Sequence, residues 1–164
     1  HSAIHQARPK DHHCVMHSHE VKSQTLAASK SKLIPLTQEG CQLYERVGYH
    51  EFNGIVLNDE EKEKLINAIG NEKHTLLMRN HGLITAGPTA AWAFIRHQHF
   101  IRNAEVQLKL MASNAEMSII SDNILKHTRE QFEGGSAQAG AKVRHPEWPA
   151  FWRLLDTLDE KWKH

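Results

Sequence analysis

The chain has two cysteines, Cys14 and Cys41, and neither sits in a zinc-ribbon or redox spacing. Both therefore read as small buried hydrophobes in a reducing cytosol. No apolar run approaches the ~20 residues that a membrane-spanning helix needs, and the start is not signal-like. Charge of one sign is missing as well. Net charge is +1, with lysine, arginine and acids interspersed, so there is no electrostatic footprint for nucleic acid or a membrane surface. Internal repeats are absent. These absences fit a cytoplasmic protein and leave no sign of a nucleic-acid or membrane partner. The 164 residues, 40% hydrophobic, suit one domain with an ordinary core.

Histidine is abundant, with 14 residues. Two of them stand in Cys14-Val15-Met16-His17-Ser18-His19. In an extended strand alternate side chains share a face, so His17 and His19 project the same way, with backbones roughly 6.5–7 Å apart, and can chelate one metal. On a helix the same pair would diverge by about 200°. Apolar Val15 and Met16, following the turn-like Pro9-Lys10-Asp11, favour the strand. Taken alone, the pair also fits two solvated or core-edge histidines. A third candidate ligand lies downstream. Thr75 to Met78 and Leu83 to Ala86 read as buried strands, and between them Asn80-His81-Gly82 presents His81 at a strand end. Gly82 is expected to supply a positive φ beside it. Three neutral imidazoles with one open position make the catalytic kind of zinc site, whereas structural sites are closed by four protein ligands.

In chain order, Ser2 to Arg8 reads as a helix end stopped by Pro9. The His17/His19 strand follows, then a helix from Val21 to about Ser29, a polar break at Lys30-Ser31-Lys32 and an apolar segment Leu33-Ile34-Pro35-Leu36. Thr37 is placed to cap a helical stretch, Gln38 to Glu45, and Val47 to Phe52 reads as a strand. After the turn Asn53-Gly54, a helix starts at Asn58-Asp59-Glu60-Glu61 and stops at Gly70. Thr89 to Ala115 is the longest helix, with large apolar groups on several faces, and a further one spans Ser118 to Phe132. Residues 1–133 form the domain, 134–145 a Gly-rich flexible linker, and 146–164 a Trp-rich helix docking on the core or a neighbouring subunit. Strands interleaved with helices give an α/β or α+β class.

Several of these stretches together carry a resemblance. His17-Ser18-His19, Leu77-Met78-Arg79-Asn80-His81-Gly82-Leu83-Ile84-Thr85-Ala86-Gly87 and a helix through Ala93-Phe94 to Ala104-Glu105-Val106-Gln107 resemble the class II aldolase and adducin N-terminal domain family. Leu33-Ile34-Pro35-Leu36-Thr37-Gln38-Glu39-Gly40 and Tyr49-His50-Glu51-Phe52-Asn53-Gly54 are closest to its adducin-like branch, and the tail from Glu147-Trp148-Pro149 to Asp159 resembles bacterial members. The resemblance implies a three-layer α/β/α sandwich with a largely antiparallel central sheet, usually in a homotetramer. It also implies a divalent metal, most often zinc, on three histidines that carry over to His17, His19 and His81. In such enzymes a ketose or its phosphate offers its carbonyl to the metal, which stabilises the enediolate left when a carbon–carbon bond breaks.

The chain also departs from that pattern. The family's acid/base glutamate would precede His1, as would its glycine- and serine-rich phosphate loops. The chain starts without Met, inside what reads as a helix, so it is taken as N-terminally truncated and the fragment is expected to bind metal without catalysing. Trp92 stands where an acidic residue is common, and no tyrosine near Thr37 matches the general acid of some sugar-phosphate aldolases; Tyr44 and Tyr49 are poor substitutes. Other residues have plain readings. Asn80 is a turn residue, Gly82 and Gly87 are conformational, Glu20 points to the opposite sheet face as a solvated charge, and His12-His13 is exposed loop. His97 and His99 diverge on a helix and are bland, and Glu105 pairs within its helix or across an interface. Two functions stay open. One is a metal-dependent aldolase, epimerase or decarboxylase acting on a small sugar, sugar phosphate or related carbonyl compound. The other is an adducin-like module for oligomerisation and protein contacts.

Overall fold

The computed structural model describes residues 2–54, 59–138, 145 and 147–158. In order these form α1 (Ser2–Ala7), β1 (Cys14–Ser18), α2 (Val21–Ala28), a 3₁₀ turn (Glu39–Leu43), β2 (Val47–His50), α3 (Asp59–Ile69), β3 (Thr75–Met78), β4 (Gly82–Gly87), α4 (Ala90–Ser113), α5 (Asp122–Gln138) and α6 (Trp148–Leu158). Every residue of β3 and β4 is buried, as the unbroken apolar runs require of central strands covered on both faces. The sheet order is β1-β4-β3-β2. β1 and β3 both pair antiparallel with β4, and β2 pairs parallel with β3, so two of the three pairings are antiparallel. The parallel pair is joined through α3, the kind of crossover such a pair requires.

Side chains alternate across the sheet and divide the core into two layers. Leu77 and Leu83 pack on one face with Leu26 and Ala27 of α2 and Phe100, Ile101 and Ala104 of α4. Leu76, Met78, Ile84 and Ala86 pack on the other with Ile4 of α1 and Leu65 and Ile69 of α3. The architecture is the three-layer α/β/α sandwich with a largely antiparallel sheet.

Helix ends follow local chemistry. Glu20 caps α2, its carboxylate accepting from the Lys22 and Ser23 amides, and the Thr89 hydroxyl caps α4 at Trp92 N. Asn114, at φ 54°, closes α4, and Gly70, at φ +55°, follows α3. Polar residues of α4 hold the Lys32–Thr37 coil, whose backbone has no ladder partner among the described residues. Asn103 Oδ1 accepts from Leu36 N at 2.8 Å and Thr37 N at 3.3 Å, and its Nδ2 donates to Ile34 O at 2.7 Å. Gln107 accepts from Ile34 N and donates to Lys32 O, at 2.8 and 2.9 Å. Both side chains are fully buried.

Some boundaries differ from the sequence expectation. β2 ends at His50 rather than Phe52, because β3 ends at its partner Met78. The Gln38–Glu45 stretch narrows to a single 3₁₀ turn. α5 starts at Asp122, where Ser121 O accepts from Leu125 N, and it runs through Gly134 and Gly135 to Gln138. Of the expected 134–145 linker, 139–144 lie outside the described residues, as do 159–164 of the tail helix. α6 meets α4 through Phe94, whose ring centroid lies 5.6 Å from that of Trp148 and 5.1 Å from that of Phe151. His12, expected in an exposed loop, is 1% exposed, because the turn after α1 folds it inward.

Candidate metal centre

At the end of β1 the alternation of side chains sends Ser18 toward α4 and His17 toward the opposite layer. His19 lies one residue past the ladder, whose last pair is Ser18 with Leu83. His81 arrives from the β3–β4 connection. There Asn80 takes the left-handed conformation at φ 55°, and the His81 amide returns to Met78 O at 3.1 Å. Gln24 Nε2 donates to the His81 carbonyl at 3.0 Å and ties this turn to α2.

These elements bring the three expected histidines together. Their ring centroids are 4.7, 4.9 and 4.9 Å apart, nearly an equilateral triangle. One nitrogen from each ring lies within 4.8 Å of the others. The His17 and His19 Nε2 atoms approach to 2.9 Å. Two bare imidazole nitrogens at that distance repel unless a proton or a cation lies between them.

The tautomer of His17 is fixed. Its Nδ1 lies 3.0 Å from Leu83 O, and a carbonyl only accepts, so Nδ1 carries the hydrogen and Nε2 presents a lone pair. Burial pushes the pKa of His17 down, opposed by the Leu83 bond and aided by the neighbouring His81 and His19. His81 is pushed down by burial and then by His19 and His50. Both are therefore neutral near pH 7, the form that binds metal.

Gly82 serves this site differently from the expectation. Its φ is not positive; the left-handed residue of the turn is Asn80. Instead, a Cβ at Gly82 would lie 2.4 Å from Ser18 O, 3.0 Å from His19 Cδ2 and 3.3 Å from His17 Cε1. Glycine is the residue that lets β4 pass under the two rings. Three imidazole donors, the fixed tautomer of His17 and this cleared floor fit a divalent ion.

The family follows from matching these elements to known proteins. The model of the class II aldolase and adducin N-terminal domain matches residues 1–108. The chain belongs to this family. An aldolase class 2 family protein of Caulobacter vibrioides is 36% identical over 163 residues, covering 95% of this chain and 59% of that protein. Alpha-adducin of Rattus norvegicus is 30% identical over 166 residues, covering 96% of this chain and 22% of the adducin. Among solved structures, the L-fuculose 1-phosphate aldolase from Glaciozyma antarctica superposes with TM-score 0.69 at 27% identity, over 80% of this chain and 49% of the aldolase. The chain thus spans about three-fifths of the length of the bacterial relatives it matches.

Within this class II aldolase and adducin domain, other expected roles change. Glu20 is the α2 cap, not a solvated charge. Trp92 packs edge-on against His145 at 4.4 Å and under the Arg96 guanidinium at 5.1 Å. Gly87 allows close approach, since a Cβ there would lie 2.7 Å from Trp92 Cβ. Glu105 pairs with Lys109 of its own helix and with Lys22 of α2, at 2.7 and 2.6 Å. His97 and His99 do diverge around α4, but both are 1% exposed and neither is idle. His99 reaches Glu147 at 3.3 Å, and His97 reaches Ser18, which stands between His17 and His19 at the end of β1. Only an alignment of helix against strand reveals that contact, and periodicity carries no such information.

Proposed function

We propose that His17, His19 and His81 hold one divalent cation, zinc in the first instance, and that the domain serves a metal-dependent aldolase-type lyase. Its substrate would be a small sugar, sugar phosphate or related carbonyl compound, cleaved at a carbon–carbon bond. The single observation that carries this reading is the triangle of three rings with converging nitrogens. The solved L-fuculose 1-phosphate aldolase supports the substrate class.

When bound, such a cation supplies Lewis acidity that stabilises charge developing on a carbonyl oxygen. The chain's own residues do the holding. His17 presents Nε2 because Leu83 O takes its other nitrogen's hydrogen, His19 faces it from the strand exit, and His81 closes the third side. With three protein donors, one position is left for a substrate oxygen. No residue is assigned the acid/base role. The proposal places the domain in a cytoplasmic homotetramer.

A second reading is an adducin-like module that uses the fold for oligomerisation and protein contacts. The 30% identity to alpha-adducin, over nearly the whole chain, favours it. A chelate with a fixed tautomer favours the first, since a scaffold has no use for converging donor nitrogens. Elemental analysis of the purified chain distinguishes the two. About one zinc, manganese or similar ion per chain, lost in His17→Ala and His81→Ala, supports the enzyme reading. A site that stays empty when metal is added leaves the scaffold.

A further inference from the structure

Behind the three histidines, on the other face of the sheet, a chain of hydrogen bonds runs from β1 into α4. Ser18 Oγ lies 2.6 Å from His97 Nε2, His97 Nδ1 lies 3.0 Å from Thr85 Oγ1, and Thr85 Oγ1 lies 2.8 Å from Ala93 O. Valence fixes its direction. The Ala93 carbonyl only accepts, so the Thr85 hydroxyl donates its one hydrogen there and can only accept from His97. His97 Nδ1 therefore carries a hydrogen. Burial keeps that ring neutral, with its pKa pushed down to about 4, so Nε2 is bare and accepts the Ser18 hydroxyl hydrogen.

This relay matters because of where Ser18 stands. It separates His17 from His19, and its pairing with Leu83 is the last of the β1–β4 ladder. Beyond it His19 has no ladder partner in β4. Its backbone position is inherited from Ser18, which is held on one face by His97 and whose carbonyl abuts Gly82. His17, on the other side of Ser18, is held from its own face by Leu83 O. The end of β1 is thus fixed from both faces.

We infer that His97 is a positioning residue for the metal centre: through the oriented Thr85–His97–Ser18 chain it sets the spacing of His17 and His19, and with it the affinity for a divalent cation. This rests on the reading of the three histidines as a metal site. Partners of this indirect kind are worth about 10–100-fold in metal affinity.

Titration of the purified chain with cobalt(II), followed by its visible absorption, tests the inference without any assay of turnover. Wild type is expected to bind one cobalt. Ser18→Ala and His97→Leu are expected to bind about 10–100-fold more weakly with an altered spectrum. His97→Gln, which keeps an acceptor for Ser18 and a donor for Thr85, is expected to recover most of the affinity. Circular dichroism confirms folding, and Ser18→Ala, which deletes one oxygen, serves if His97→Leu does not fold. Ser18→Ala titrating like wild type, or His97→Gln binding no better than a folded His97→Leu, overturns the inference while the metal site stands. A wild-type chain that takes up no cobalt overturns the metal site itself, and the inference with it.

Discussion

A methyl group on Gly82 would be driven to 2.4 Å from the carbonyl oxygen of Ser18. That obstacle is backbone, which cannot swing aside as a flexible side chain does. Gly82→Ala must therefore separate β4 from the end of β1, where the ladder closes between His17 and His19. Overpacking of this kind costs about 1–3 kcal/mol. Urea unfolding is expected to show that loss for Gly82→Ala, together with weaker metal binding. Gly134→Ala is the control. It lies inside α5, a Cβ there meets nothing within 4 Å, and replacing a helical glycine gains about 0.5–1 kcal/mol. Equal behaviour of the two variants would refute this account of Gly82.

Metal binding to the folded chain alone must raise its stability. At a free zinc concentration of 100 times Kd the gain is about 2.7 kcal/mol. For a chain of this size that is on the order of 5–11 °C in Tm. Calorimetry with zinc and with a chelator is expected to show this difference in wild type and none in His17→Ala or His81→Ala. A zinc-dependent rise that survives both substitutions would place the ion elsewhere.

The Lys32–Thr37 coil is held by two side chains of α4, and Asn103 carries three of its backbone bonds. Leaving buried backbone groups unpaired costs about 1–3 kcal/mol each before relaxation. Asn103→Leu is expected to lose at least about 2 kcal/mol in urea unfolding, with the Leu36 and Thr37 amides losing hydrogen-exchange protection. Gly40 belongs to the same fit, since a Cβ there would lie 2.1 Å from Asn103 Oδ1. Gly40→Ala is accordingly expected to deprotect the same amides. Unchanged exchange in both variants would show that the coil is held by other means.

The convergence of His17, His19 and His81 was legible in the sequence because each part of it is local. Alternation on β1 puts His17 on one face, and the short connection between two apolar runs fixes His81 at a strand end. β3 and β4 were readable for the same reason, as unbroken apolar runs. What escaped was set by packing between distant segments. His97 carries no local sign of its contact with Ser18, because α4 is hydrophobic on many sides and its polar residues look interchangeable. His12 reads as loop until α1 folds it inward. Gly82 was assigned a conformational duty because the crossing carbonyl of Ser18 comes from a strand 64 residues earlier in number, beyond any local pattern. Glu20 followed strand alternation only as far as the strand went, and the start of α2 claimed it as a cap.

Buried neutral histidines make the fold sensitive to acid. Burial pushes His12 down to about 4, and it pushes the fully buried His74 well below the ordinary histidine value. In both cases the folded chain takes up its proton at lower pH than the unfolded chain, whose histidines titrate near 6.5. Between about pH 6.5 and 4 the unfolded state therefore binds more protons, so stability is fully present above 6.5 and falls as the pH is lowered through that window. Asp11, whose pKa is lowered chiefly by its hydrogen bond from Arg8, acts only near and below the ordinary value of 3.8. Glu61 and Glu105, held below 4.5 chiefly by hydrogen bonds from Lys64 and Lys109, add to the decline only at the acid end of the window. Each such histidine contributes a slope of at most about 1.4 kcal/mol per pH unit. His12→Leu removes one of them, and with it a buried Nδ1 that has no hydrogen-bond partner among the described residues. Unfolding free energies measured in chelator from pH 7.5 to 4.5 are expected to be level above 6.5 and to decline below it. The decline is expected to be shallower in His12→Leu by up to that amount. A wild-type stability that stays level down to pH 4.5, or parallel profiles for the two chains, would contradict the neutral burial of His12.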